Sequence, residues 1–191
     1  MGLDMYLDRC DRRAWGFKSV DLDDVKANNP ALYDVLKPYI HKRGSEYYSW
    51  DSLFEKVGYW RKANAIHRWF VENVQNDVDD CDYYEVSKEQ LEALLNICKE
   101  VKASAQLEKG WVKNGETLAN GQWCPNYVEG ETIVNPEVAD ELLPTQDGFF
   151  FGSTEYDQYY MQDILDTIDI ITKVLETTDF EREMITYCSS W

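Results

Sequence analysis

Leu3, Met5 and Leu7 alternate with Asp4, Tyr6 and Asp8 at the head of the chain. That period of two predicts a strand with one buried face. Ala14 to Val20 is a candidate partner for it, and Asp21 to Asn28 reads as a short helical turn. Asn29-Pro30 has the form of an N-cap followed by a first-turn proline and predicts a helix to about residue 40. The period then lengthens: Tyr59, Ala63, Ile66, Phe70 and Val74 fall at helical spacing and predict a helix over 59–75, with Arg68 and Glu72 paired on its outer side. Ser87 and Gln90 form a capping-box signature for a long helix burying Leu91, Leu94, Leu95, Cys98 and Val101, with Gly110 as its stop.

Three Asn-Gly or Glu-Gly pairs punctuate residues 111–134, and Asn114-Gly115 between Trp111–Lys113 and Glu116–Leu118 reads as a hairpin turn. Asn135-Pro136 opens a short helix that ends before Pro144, and Phe149-Phe150-Phe151 reads as a brief buried strand. Ser153 or Thr154 then caps a last helix over 154–177. Its inward face is Met161, Ile164, Leu165, Ile168, Ile171 and Leu175, while Glu155, Asp157, Asp163, Asp166, Asp169 and Glu176 supply exposed charge. Three long helices beside one short strand predict an α+β fold, predominantly helical with a small β-sheet. No repeat or linker divides the chain, so residues 1–191 are expected to form a single acidic domain.

Composition sharpens this picture. With 44% hydrophobic and 14% aromatic residues the chain has the material for a packed core. No apolar run approaches the length of a membrane span, and the N-terminal residues lack a basic-then-apolar leader; Tyr6 stands where a myristoylation motif wants Ser or Thr. The five cysteines are scattered and never in C-x-x-C spacing, the usage of reduced thiols in a cytoplasmic protein. Charge is lopsided: residues 1–126 hold 21 acidic against 17 basic groups, whereas residues 127–191 hold 15 acidic groups against Lys173 and Arg182 alone. A field of that sign repels phosphate backbones and attracts basic protein surfaces, so direct nucleic-acid binding is not expected. Solubility alone is the competing explanation of the acidity.

The two histidines, His41 and His67, are too few for a His-rich metal site, and no phosphate-loop, dinucleotide or nucleophile-elbow motif occurs. Neither a metal nor a cofactor is implied. Asp77 to Asp80 lacks the ligand ladder, central glycine and closing glutamate of a calcium loop. One stretch concentrates unusual chemistry: Trp60 to Trp69 carries Arg61, Lys62, Arg68, Asn64 and His67. On a helix Trp60, Asn64 and His67 would share one face and Arg61 and Arg68 another, a surface able to clamp an anion. The alternative is that these cations pair with the acidic last helix and that His67 is a satisfied buried histidine. A second candidate is Ser153, Thr154, Glu155, Tyr156 and Asp157, where a helix N-terminus could meet an anion or where simple capping accounts for the residues.

The strings MGLDMYL, VGYWRKANAIHRWF and LLPTQDGFFFGSTEYDQYY cover about a fifth of the chain. In them the protein resembles an uncharacterised family of small acidic bacteriophage and prophage proteins. The resemblance implies a phage accessory protein acting in the host cell cytoplasm. It places Arg61, Lys62, Asn64, His67, Glu155, Tyr156 and Asp157 first among candidates for a shared site. Taken with the acidity, it points to a non-enzymatic inhibitor of a host defence factor, such as a CRISPR effector or other nuclease. The contact would be a nucleic-acid-mimicking surface of Asp157, Asp163, Asp166, Asp169 and Glu176 meeting a basic face of the partner. The alternatives are a sponge for a small anionic ligand or nucleotide signal, built on Arg61, Lys62, His67 and Ser153, and a small hydrolase or transferase using His67 with Glu155 or Asp157.

Overall fold

The structure, a computed structural model, describes residues 2–15, 22–37, 41–43, 47–49, 54–119 and 121–191. Strand β1 (Asp4–Asp11) runs into helix α1 (Arg12–Trp15), followed by α2 (Leu22–Asn28) and α3 (Pro30–Leu36). Two three-residue strands, β2 (His41–Arg43) and β3 (Tyr47–Ser49), precede β4 (Glu55–Arg61) and helix α4 (Asn64–Asn73). Strand β5 (Tyr84–Val86), helix α5 (Lys88–Ser104) and the hairpin strands β6 (Leu107–Ala119) and β7 (Gln122–Ile133) follow. Helices α6 (Glu137–Leu142) and α7 (Gln158–Thr177) and strand β8 (Glu183–Ser190) complete the chain.

The expectation of a predominantly helical domain is corrected: the fold is α+β, with 41% helical and 32% strand among the described residues. Most of the added strand comes from three places. The first is β8, whose residues Met184 to Ser189 are all buried. A strand covered on both faces shows no alternation of polar and apolar positions, so its period is hidden. The second is β4, which takes the first part of the expected 59–75 helix. Its Trp60 is buried and Tyr59 exposed, a period of two that also fits a helix over so short a window. The third is the β6–β7 hairpin, longer than expected. It turns after Ala119, with Gly121 at a φ of 78°, while Asn114-Gly115 sits at a register shift between Lys113 and Glu116.

The main sheet is antiparallel throughout, in the order β4-β1-β8-β5. Leu3, Met5 and Leu7 lie on the same face of it as Trp60, Ile185 and Tyr187, and all six are buried. Helices α4, α5 and α7 cover that face. Helix α5 has the expected capping box between Ser87 and Gln90 and buries Leu91, Leu94, Leu95, Cys98 and Val101, as its spacing predicts. It stops at Ser104, where the Asn135 side chain receives the Gln106 N–H and donates to the Ser104 carbonyl, and Gly110 lies instead within β6. Helix α3 is capped by Asn29 as expected, and the residues proposed to pair with β1 from 16 onward lie outside the described residues. Phe149 to Phe151 form a turn, with Phe149 fully exposed and Phe151 buried. Helix α7 begins at Gln158, four residues later than expected, because Asp157 caps it, and its buried side is Tyr160, Met161, Ile164, Thr167, Ile171 and Val174.

Burial assigns the energetic weight. Leu94→Ala, in the fully buried stripe of α5, is expected to lower unfolding free energy by about 2–5 kcal/mol in urea titrations. Leu118→Ala, on the exposed hairpin, should change it by no more than about 0.5 kcal/mol.

Candidate functional site

The block Trp60 to Trp69 does not form one surface, because β4 ends and α4 begins within it. Lys62 makes the junction with a φ of 63°, its N–H donating to the Leu3 carbonyl and its carbonyl receiving the Asn64 N–H. The chain thereby changes direction within two residues, using a left-handed conformation that costs a non-glycine residue about 1 kcal/mol or more. Arg61 is exposed at the end of β4, 3.9 Å from Asp4, and Arg68 pairs with Glu72 at 2.7 Å on α4. The shared anion-clamping faces expected of a continuous helix are therefore absent. Trp60 is committed to the core, its indole N–H donating to Thr167 Oγ1 at 2.9 Å.

Asn64 ties together segments far apart in sequence. Its amide donates to the carbonyls of Phe151 (3.1 Å) and Ser153 (2.7 Å), and its oxygen receives the Gln146 N–H at 3.0 Å. Gly152 follows Phe151 at a φ of 95°, and a Cβ there would lie 3.1 Å from Lys62 Cβ. Lys62, Asn64 and the 151–153 turn are thus brought together, but by backbone clasping. Ser153 Oγ receives the Glu155 N–H, and the Thr154 carbonyl receives the Thr145 hydroxyl. Neither residue stands at a helix N-terminus.

His67 has no exposed surface. Its Nδ1 lies 2.7 Å from the Tyr187 hydroxyl and its Nε2 3.1 Å from Asp79 Oδ1. With Asp79 ionised, Nε2 carries the proton and Nδ1 receives the Tyr187 O–H, so every polar atom of the ring is satisfied in the neutral form. Burial lowers the His67 pKa, against the opposing pull of Asp79. Phe151 packs edge-on to the ring and Tyr187 stacks on Phe70 at 4.0 Å. His67 does not meet Glu155 or Asp157 in any hydrogen bond, so the expected acid–base pair is not formed.

The second candidate segment leads to a cavity of about 260 Å³ where the root of the β6–β7 hairpin meets the start of α7. A backbone hydrogen bond from Ile133 to the Tyr156 carbonyl and a bridge between Thr132 and Asp157 join the two elements. Trp111, Tyr127 and Tyr156 supply aromatic walls, and Val112, Ile133 and Pro136 an apolar lining. Lys113, Glu155 and Asp157 are the charged groups of the lining. The Tyr156 hydroxyl donates to Asp140 at 2.8 Å. Sequence reasoning picked out Glu155, Tyr156 and Asp157 but missed the hairpin half of this cavity. The exposed aromatics of 111–127 were its only signal.

The acidic surface is also revised. Asp157 is 1% exposed and caps α7 through the N–H groups of Tyr159 and Tyr160, so it does not belong to an outward band. Asp163 is partly buried; desolvation, then the nearby Asp166 and Asp157 charges, push its pKa up to about 7. Asp166, Asp169 and Glu176 are exposed and lie along one side of α7, with the exposed Lys173 between them. Among the described residues no group of three or more His, Cys, Asp or Glu side chains is placed to hold a metal ion, and no helix is long and apolar enough to cross a membrane. None of the five cysteines is in a disulfide, and Cys81 and Cys124 are exposed. No protein-family model, curated protein or solved structure matches the chain.

These shifts have opposite signs in pH. The Asp163 pKa is raised from 3.8 to about 7 in the folded chain. Its ionisation therefore opposes folding, by an amount that is absent below the lower value and complete above the upper one. Asp163→Asn should stabilise the protein at pH 8 and leave it unchanged near pH 3.5, read from urea midpoints. The His67 pKa is depressed below 6.5, so its contribution is full above that pH and is lost as pH falls. Replacing His67 with Phe should flatten that acid limb.

Proposed function

We propose that the protein is a non-enzymatic binding protein that grips a basic surface on another protein. In the setting implied by the phage resemblance, the host cell cytoplasm, that partner is a nuclease or other nucleic-acid-handling defence factor such as a CRISPR effector, inhibited when its phosphate-binding surface is covered. The observation that carries the reading is the aromatic face of the β6–β7 hairpin. Trp111, Leu118, Trp123 and Tyr127 share one face by register and are 66, 59, 68 and 56% exposed. Exposed tryptophan and tyrosine in a contiguous strip are characteristic anchors of protein interfaces.

Charge supplies the direction of approach. The root of the hairpin that carries the strip is joined to the start of α7, within the part of the chain with 15 acidic and two basic groups, and that field accelerates encounter with a cationic face. Lys173 among Asp166, Asp169 and Glu176 makes α7 a steering surface, not a copy of a phosphate ladder. Of the residues of the anion-sponge alternative, His67 is buried with both ring nitrogens engaged and Ser153 Oγ receives the Glu155 N–H, which favours the binding-protein reading.

The test is capture from host cytosol followed by titration of the purified partner. Trp123→Ala should weaken binding by about tenfold or more, the range of interface hot spots. Changing Asp166 and Asp169 together to Lys should slow association and reduce its salt dependence. Melting temperatures of both variants should match the parent. Unchanged affinity in both variants, or a partner whose binding is indifferent to salt, would sink the reading.

A further inference from the structure

We infer that the turn at 148–151 presents the Phe149 ring as a docking knob, and that its receptor is the cavity at the hairpin root of a second copy of this chain. The inference does not rest on the binding of a basic partner.

Phe149 is 95% exposed, and no other large apolar side chain among the described residues is as open to water. The turn that holds it is nevertheless fastened at several points. The Phe151 N–H closes the turn on the Gly148 carbonyl, Leu3 donates its N–H to the Phe150 carbonyl, and Asn64 holds the carbonyls of Phe151 and Ser153. Phe151 also fills the space beside Gly148, where a Cβ would lie 2.7 Å from its ring. Phe150 packs edge-on to Phe149, with ring centroids 4.8 Å apart. An exposed phenyl ring adds little burial to the fold, whereas one fixed in advance loses little freedom on docking. The 57–70 and 142–160 strings thus meet to build one water-facing aromatic tip.

Charge beside the tip narrows what it can meet. Leu3 also receives the Lys62 N–H, and a Cβ at Gly152 would lie 3.1 Å from Lys62 Cβ, so Lys62 borders the turn. A Cβ at Gly2 would lie 3.3 Å from Lys62 Cε and 3.8 Å from Arg61 Nε, which places both cationic side chains along one margin. Both residues are exposed, and Arg61 reaches Asp4 only at 3.9 Å, beyond hydrogen-bond length. A complementary receptor is apolar with an acidic margin.

The chain itself carries such a receptor. The cavity of about 260 Å³ exceeds the roughly 150 Å³ that accommodates a benzene ring. Its walls include Trp111, Tyr127 and Tyr156, and aromatic side chains pack favourably edge-to-face against a phenyl ring. Its margin is acidic. Glu155 belongs to the lining and is exposed, Glu129 stands opposite Trp111 on the same face, and the charge of Lys113 is offset by Glu116 at 2.7 Å. Knob and receptor are different surfaces, so each copy can engage two others unless the assembly closes. The net charge of −17 on every copy opposes association, which makes the contact dependent on concentration. Docking would cover Trp111 and Tyr127, two members of the exposed strip, and so compete with any partner held there.

The test is sedimentation equilibrium of the purified full chain from about 5 to about 500 µM at about 0.15 M salt. The weight-average mass should rise with concentration from that of one chain. Phe149→Ala removes the knob and should weaken association by about tenfold or more. Trp111→Ala combined with Glu155→Lys, both at exposed positions, removes a wall and the margin of the receptor and should do the same. Melting temperatures of both variants should match the parent. Mixed in equal amounts, the two variants should form a dimer and stop there, because one supplies the intact receptor and the other the intact knob. Glu155→Lys alone provides a second receptor variant and should weaken association severalfold, and adding Arg61→Glu to the same chain should restore it. A parent chain that stays monomeric throughout, a Phe149→Ala chain that associates as the parent does, or a mixture that does not dimerise overturns the inference. Only this chain is present in the cell, so the result is independent of whether a basic partner exists.

Discussion

Strand β8 must lie between β1 and β5 for the main sheet to exist, and that placement buries Met184 through Ser189 without interruption. Burying Tyr187 there places its hydroxyl inside the core, and a buried hydroxyl needs a partner. His67 provides it and in turn requires Asp79, whose Oδ1 also receives the Trp191 indole N–H. One packing decision at the end of the chain thus dictates the identity of residues on α4 and on the loop before β5. The stack of Tyr187 on Phe70 locks the same two elements through apolar contact.

The polar block around Arg61 serves the same architecture. Lys62 turns the chain, Asn64 clasps the 146–153 loop against α4, and Trp60 anchors β4 to α7 through Thr167. An unusual string can mark a demanding local geometry as readily as a ligand site. Here the buried side chains have partners within the chain, which leaves recognition to the exposed hairpin face, the α7 acids, the cavity between them and the Phe149 tip.

Acidity, too, divides into two kinds once burial is known. Exposed carboxylates such as Asp166, Asp169 and Glu176 face water and act at a distance. Asp157 and Asp163 have been taken partly out of water, and each makes folding depend on what neutralises it. The hairpin root is where an aromatic surface meets one of these costly charges.

Local signals determined the elements that carry their own instructions. The capping box of Ser87 and Gln90, the buried stripe of α5, the Asn29-Pro30 helix start and the alternation of β1 were all legible, because each depends on neighbours within a turn or two. The sequence alone also set the charge asymmetry and the aromatic content of 111–127. Tertiary structure decided the rest. It made residues 55–61 a strand, taking 59–61 from the expected helix, because β1 offered an edge to pair with; it hid the period of β8 by covering both faces, and it moved the start of α7 to Gln158, behind the Asp157 cap. It also assembled the cavity from Trp111, Tyr127 and Asp157, residues up to 46 positions apart. Periodicity reports which face of an element meets the core; it carries no information about which distant element arrives there, and both the cavity and the fate of the basic block depend on that arrival.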